Sequence, residues 1–110
     1  MLCFNHEKYV AQSIQSILDQ TYANWELIIT DNASTDNSRQ IIEEYVLKDK
    51  RIKFYPLEYN SYPSGGINNS IKHSIGEYIA LLSADDYFMP NKLERQIEFM
   101  LSNNLDVSFT

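Results

Sequence analysis

The 110-residue sequence contains one cysteine, Cys3. A lone thiol cannot close an internal disulfide, so a reducing compartment is expected and a cytoplasmic location is the default. Basic residues are scarce, 9 against 15 acidic ones, for a net charge of −6. That balance excludes a nucleic-acid binder, which needs a basic surface to neutralise phosphates. An anionic ligand must therefore be received locally, against a repulsive overall field. No apolar run approaches the roughly 18 residues of a transmembrane segment. The start, "MLCFNHEKYV", lacks the basic onset and long apolar core of a signal peptide. Glycine and proline number three each, too few for a linker or a low-complexity chain.

Apolar residues make up 44% of the chain, enough for one small domain with a single core. Val10, Ile14, Ile17 and Leu18 fall at helical spacing and predict a helix from Glu7 to Gln20. "WELIIT", Trp25 to Thr30, is a buried strand by composition. "DNASTDNS" follows as a loop in which Ser34, Thr35 or Asp36 caps a second helix, with Ile41, Ile42, Tyr45 and Val46 inward. "RIKFYPL" is a strand and "NSYPSGG" a turn-rich loop. A short helix is expected from Ile67 to Ser74, with Gly76 as its C-terminal cap. "EYIALLS" reads as a third buried strand. Pro90 opens a last helix whose stripe is Leu93, Ile97, Met100 and Leu101, and "LDVSFT" reads as a final strand.

Strands alternating with helices imply an α/β fold, a mostly parallel sheet flanked by helices. Ligands of such sheets sit beyond the carboxyl ends of the strands. Asp31 and Asn32 end one strand, and the adjacent carboxylates Asp85 and Asp86 end another. Met1 to Phe4 supply only the last residues of a leading strand, so the sheet is incomplete at its start. Two like charges at the mouth of an apolar strand raise the cost of ionising each other, and two such loops on one sheet edge suggest a site.

"FNHEKYVAQSIQSILDQTYANWELIITDNASTDNS" and "GEYIALLSADDYFMPNKLERQIEF" resemble the nucleotide-sugar-binding half of family 2 glycosyltransferases. The likeness covers residues 2–110 and rests on three motifs in order: Asn-x-x-x-Tyr, Asp-x-x-Ser-Thr-Asp, and an acidic pair before proline. The resemblance implies a Rossmann-like GT-A fold, present as a single partial donor-binding domain over 1–110. It implies an inverting transfer of a sugar from a nucleotide diphosphate to an acceptor hydroxyl. Cell-surface polysaccharide biosynthesis is the usual setting. The acceptor-binding half and the catalytic base are expected beyond residue 110, so the chain alone is expected to be inactive.

The same resemblance makes Phe4, Asp31, Asn32 and Asp85 nucleotide-binding, and Asp85 and Asp86 ligands of Mg²⁺ or Mn²⁺ bridging the two phosphates. A hard cation that keeps several waters needs only one or two carboxylates. Three departures stand out. Ser83 replaces the first acid of Asp-x-Asp, Asn32 replaces an acid, and Gly66-Ile67-Asn68 lacks the family's arginine. They motivate an alternative, a non-catalytic module that forms a homodimer through an exposed sheet edge. Cys3 reads as a small buried hydrophobe, and neither His6 nor His73 has a partner at metal-ligand spacing.

Overall fold

A computed structural model describes residues 1–109. The apolar periodicities produce seven elements: β1 (Leu2–Cys3), α1 (Val10–Leu18), β2 (Leu27–Asp31), α2 (Ser38–Lys48), β3 (Ile52–Pro56), α3 (Tyr62–Lys72) and α4 (Lys92–Ser102). The sheet is parallel in the order β1-β2-β3, with Cys3 opposite Asp31 and Asp31 opposite Pro56. Every residue of β2 is buried, as a strand flanked on both edges requires. Pro56, with no N–H to give, stands on the edge strand β3 in the phase that faces away from β2, and the next ladder bond comes from the Leu57 N–H to the Asp31 carbonyl (2.8 Å).

The core joins Cys3, Val10, Ile14, Ile17, Leu27, Ile29, Ile42 and Ile52, with Leu82 and Ala84 from the chain before the acidic pair. The α3 helix packs on β1 and β2, α2 packs on β3, and α1 packs on α2. Polar side chains tether α4 to the end of α1. Gln20 donates to the Met89 carbonyl (2.8 Å) and accepts from the Leu93 N–H (3.1 Å), and the Thr21 hydroxyl donates to Glu94 (2.8 Å).

Five expectations need correction. "EYIALLS" forms no strand; its only sheet contact is the bridge between Leu2 and Ser83. Leu2 exchanges bonds with the Leu82 carbonyl (3.3 Å) and the Ala84 N–H (3.0 Å), and among the described residues nothing lies alongside 78–81 to continue the ladder. Ile79 and Leu81 are accordingly exposed. A cavity of about 480 Å³ runs between this segment and β2, lined by Met1, Leu27, Ile28, Ile67, Ile71 and Leu82. On that side Thr30 N–H donates to Met1 and Asn32 N–H to Cys3, so the Ile28 N–H, in the same phase, faces the cavity.

The third helix begins at Tyr62, five residues before the expected Ile67, and ends at Lys72. Pro63 in its first turn is compatible with a helix start, and Gly65 and Gly66 are carried inside because tertiary packing outweighs their propensity. The cap is His73, not Gly76, which has no positive φ. Gly76 instead donates its N–H to Glu26 (3.2 Å), beside Ile75 (2.6 Å). "LDVSFT" forms no strand through Phe109, and its Thr110 lies outside the described residues. Leu101 is exposed, leaving Met100 as the buried residue of α4.

Candidate functional site

Three chain segments meet at the carboxyl edge of the sheet: residues 4–7 after β1, 31–38 after β2, and 83–86 after the Leu2 bridge. The first two are stitched by reciprocal polar bonds. Asn5 N–H donates to the Ser34 hydroxyl (2.9 Å), and Asn5 Oδ1 accepts from Thr35 N–H (2.8 Å). His6 N–H donates to the Ser38 hydroxyl (2.9 Å), Glu7 N–H to Asp36 (3.0 Å), and Asn37 N–H to Glu7 (3.1 Å). Asp36 also accepts the Ser38 N–H (2.9 Å), but the N-cap of α2 is Asn37, which makes no side-chain cap bond, rather than Ser34, Thr35 or Asp36 as expected. Both motifs are therefore loop-building devices as well as candidate ligand contacts. Asn5 and Ala33 adopt positive φ, 53° and 66°, within this stitching.

Asp31 is fully buried and committed to its neighbours. It accepts from Arg39 Nε (2.6 Å), from the Ser34 N–H (3.0 Å) and from the Ser34 hydroxyl, while Arg39 also donates to the Leu57 carbonyl. Asn32 is 2% exposed, and its amide bonds the loop at 60–62. Phe4, directly after β1, is 41% exposed. The thiol of Cys3 is buried, and burial pushes its pKa up, which suits an inert core residue.

Asp85 is the accessible acid, its side chain 49% exposed. Ser83 donates its hydroxyl to Asp85, which, with His6 nearby, holds that carboxyl below its ordinary value. The His6 Nε2 atom lies 3.9 Å from Asp85 Oδ2, and its Nδ1 is buried without a partner. Ser83 is anchored in turn: its carbonyl accepts from the Ser13 hydroxyl (3.2 Å). Asp86, also exposed, lines the mouth of the cavity. Among the described residues no group of three or more His, Cys, Asp or Glu is poised around one point. Asp85 and Asp86 are adjacent exposed carboxylates, in kind and number enough for a hard cation whose other ligands are phosphate oxygens and waters.

The model of the glycosyl transferase family 2 matches residues 1–110. The chain belongs to that family. It is 42% identical over 109 residues to the UDP-Glc:alpha-D-GlcNAc-diphosphoundecaprenol beta-1,3-glucosyltransferase WfgD of Escherichia coli, covering 99% of this chain and 42% of that protein. It is 38% identical over 107 residues to the putative teichuronic acid biosynthesis glycosyltransferase TuaG of Bacillus subtilis, 97% of this chain and again 42% of the relative. The chain thus spans less than half the length of these relatives. S. aureus TarS 1–349 in complex with UDP-GlcNAc superposes with a TM-score of 0.87 at 29% identity, over 94% of this chain and 30% of TarS. The fold is accordingly the GT-A fold, represented by the portion that precedes Thr110.

The sequence reading placed Phe4, Asp31, Asn32 and Asp85 on one edge, and the structure brings their backbones together there. It missed two residues. Arg39 reaches back eight positions to Asp31, a pairing no helical or strand period announces. His6 approaches Asp85 across 79 positions, visible only once β1 and residue 83 are paired. No helix of the described residues is long and apolar enough to cross a membrane.

Proposed function

We propose that the chain is the donor-binding portion of an inverting, metal-dependent family 2 glycosyltransferase. The reaction passes a sugar from a nucleoside diphosphate to an acceptor hydroxyl. The observation that carries this reading is Asp85: an exposed carboxylate kept ionised by Ser83, on the edge shared with Phe4 and the 31–32 turn. The exposed Phe4 ring offers a face for the base. Asp31 and Asn32, both buried, shape the turn beneath that edge. Asp85, with Asp86, would hold Mg²⁺ or Mn²⁺, which when bound supplies Lewis-acid neutralisation of the diphosphate leaving group. Ser83 orients Asp85 for that role, and Ser13 holds Ser83.

The catalytic base, in the family's pattern, belongs to the acceptor-binding half, and no residue here is assigned to it. The diphosphoundecaprenol in the name of WfgD and the teichuronic acid biosynthesis in that of TuaG support a role in bacterial polysaccharide assembly. The test is calorimetric titration of uridine diphosphate with Mn²⁺, without it, and into Asp85→Ala. Metal-dependent binding lost in Asp85→Ala supports the reading; no binding of uridine, guanosine or thymidine diphosphate sinks it for this chain.

A second reading rests on the cavity. The Ile28 N–H and the segment at 78–81, without a strand partner among the described residues, favour a module that dimerises by strand pairing. Sedimentation showing a monomer at every concentration would remove that reading.

A further inference from the structure

Asn32 occupies the turn where a side chain would meet the base directly, yet its carboxamide faces inward. The Nδ2 group donates to Asn60 Oδ1 (3.2 Å) and to the Tyr62 carbonyl (3.1 Å). The Oδ1 atom accepts the Ser61 N–H (2.8 Å) and the Ser61 hydroxyl (3.0 Å). Both amide protons and both lone pairs are used, all on three consecutive residues. Asn60 Oδ1 also receives the Tyr62 N–H (2.9 Å), which closes the loop on itself.

The latched residues are not relaxed. Tyr62 opens α3 with φ 60°, left-handed backbone that a tyrosine adopts only where its surroundings impose it. The tie continues into the helix. A Cβ added to Gly66 would lie 3.8 Å from Asn32 Cγ and 2.3 Å from Leu2 Cδ1, so α3 is pressed onto β1 at the same point. On the outer side of the loop, Tyr59 and Tyr62 expose their rings.

We propose that Asn32 is a positioning residue for the nucleotide: it latches residues 60–62 over the end of β2, and the base meets that loop rather than the Asn32 amide. An aspartate would serve poorly here. Its second oxygen would face Asn60 Oδ1 and the Tyr62 carbonyl, three acceptors with no proton among them. The amide at this position is thus matched to the loop it holds. The inference rests on the donor-binding reading for its ligand, whereas the latch itself is a property of the free chain.

The experiment combines two readouts on the wild-type chain, Asn32→Asp and Asn60→Ala, the last an exposed loop substitution that leaves the core intact. Amide exchange in the free protein is followed at Ser61 and Tyr62. Affinities for uridine diphosphate and guanosine diphosphate are measured with Mn²⁺. The expected result is that Asn32→Asp speeds exchange at Ser61 about tenfold or more. Both variants shift the ratio of the two affinities in the same direction, by about fivefold to tenfold. The double variant adds little further, because both act through one loop.

Three results would overturn the inference. One is unchanged Ser61 exchange in Asn32→Asp. Another is a changed affinity ratio in Asn32→Asp with none in Asn60→Ala, which makes Asn32 a direct reader of the base. Equal weakening of both nucleotides, tracking a drop in thermal midpoint, would reduce Asn32 to a structural residue and also overturn it. If the wild type binds neither nucleotide, the donor reading fails and takes the nucleotide role of the latch with it. The exchange arm then still decides whether the latch exists.

Discussion

At the scale of single residues, the site is built on carboxylates with different assignments. Asp31 is buried and paired, so it serves the fold. Replacing Arg39 by leucine would leave its charge buried against only the Ser34 donors. A loss of about 3 kcal/mol is expected, read as a lower midpoint in urea unfolding. Asp85 is exposed, and its proposed role as a metal ligand would act through its charge. Ser83→Ala removes the hydroxyl that lowers its pKa, so the carboxyl should titrate nearer its ordinary value, measured by the carboxyl ¹³C shift across pH 2–6. A titration curve identical to that of the wild type would show that the Ser83 bond does not persist in solution.

Asp36 couples to folding. Partial burial works to raise its pKa, but the Ser38 hydroxyl and N–H and the Glu7 N–H together hold it below the usual value. A depressed folded-state value means that unfolding takes up protons. The contribution is therefore whole above the unfolded-state pKa near 3.8 and fades as the pH falls through the folded-state value. Asp36→Ala should cost about 1 kcal/mol at pH 7, and that difference should vanish in strong acid.

At the scale of elements, how well the sequence could be read depended on how locally each element is determined. The α1 and α2 helices and strand β2 follow from apolar spacing and β-branched runs, and they appear within a few residues of expectation. The α3 helix does not follow from its sequence. "YPSGG" has the composition of a loop, and its helicity comes from contact with β1 and β2. Residues 78–82 fail in the opposite sense. Their composition suits a strand, but a strand exists only beside a partner, and among the described residues only Leu2 pairs with this segment. The site was legible as an edge, because strand ends gather there whatever the details. Its internal commitments, Arg39 to Asp31 and Asn32 to 60–62, depended on tertiary contacts and could not be read. The contact beneath α3 is itself testable. Gly66→Ala would force Leu2 to turn aside, at a cost of about 1 kcal/mol, and Leu2→Ala in the same chain should recover most of it. Strictly additive losses would show that Gly66 does not bear on Leu2.

At the scale of the whole molecule, a net charge of −6 and an unpaired segment shape behaviour together. The charge repels a nucleoside diphosphate at long range, so binding should strengthen as salt rises from low values and screens that field, before specific contacts weaken. The segment at 78–82 leaves Ile79 and Leu81 in solvent and contributes only Leu82 to the core. Stability should then be indifferent to what stands at Leu81. Leu81→Lys is expected to leave the unfolding midpoint within about 0.5 kcal/mol of the parent and to reduce self-association by placing a charge on an open edge. The same substitution in a fully paired, buried strand would cost several times more. A large loss of stability in Leu81→Lys would show that the segment is covered in solution, by a second copy or by more of the sheet. Concentration-dependent sedimentation of the parent would separate those two cases.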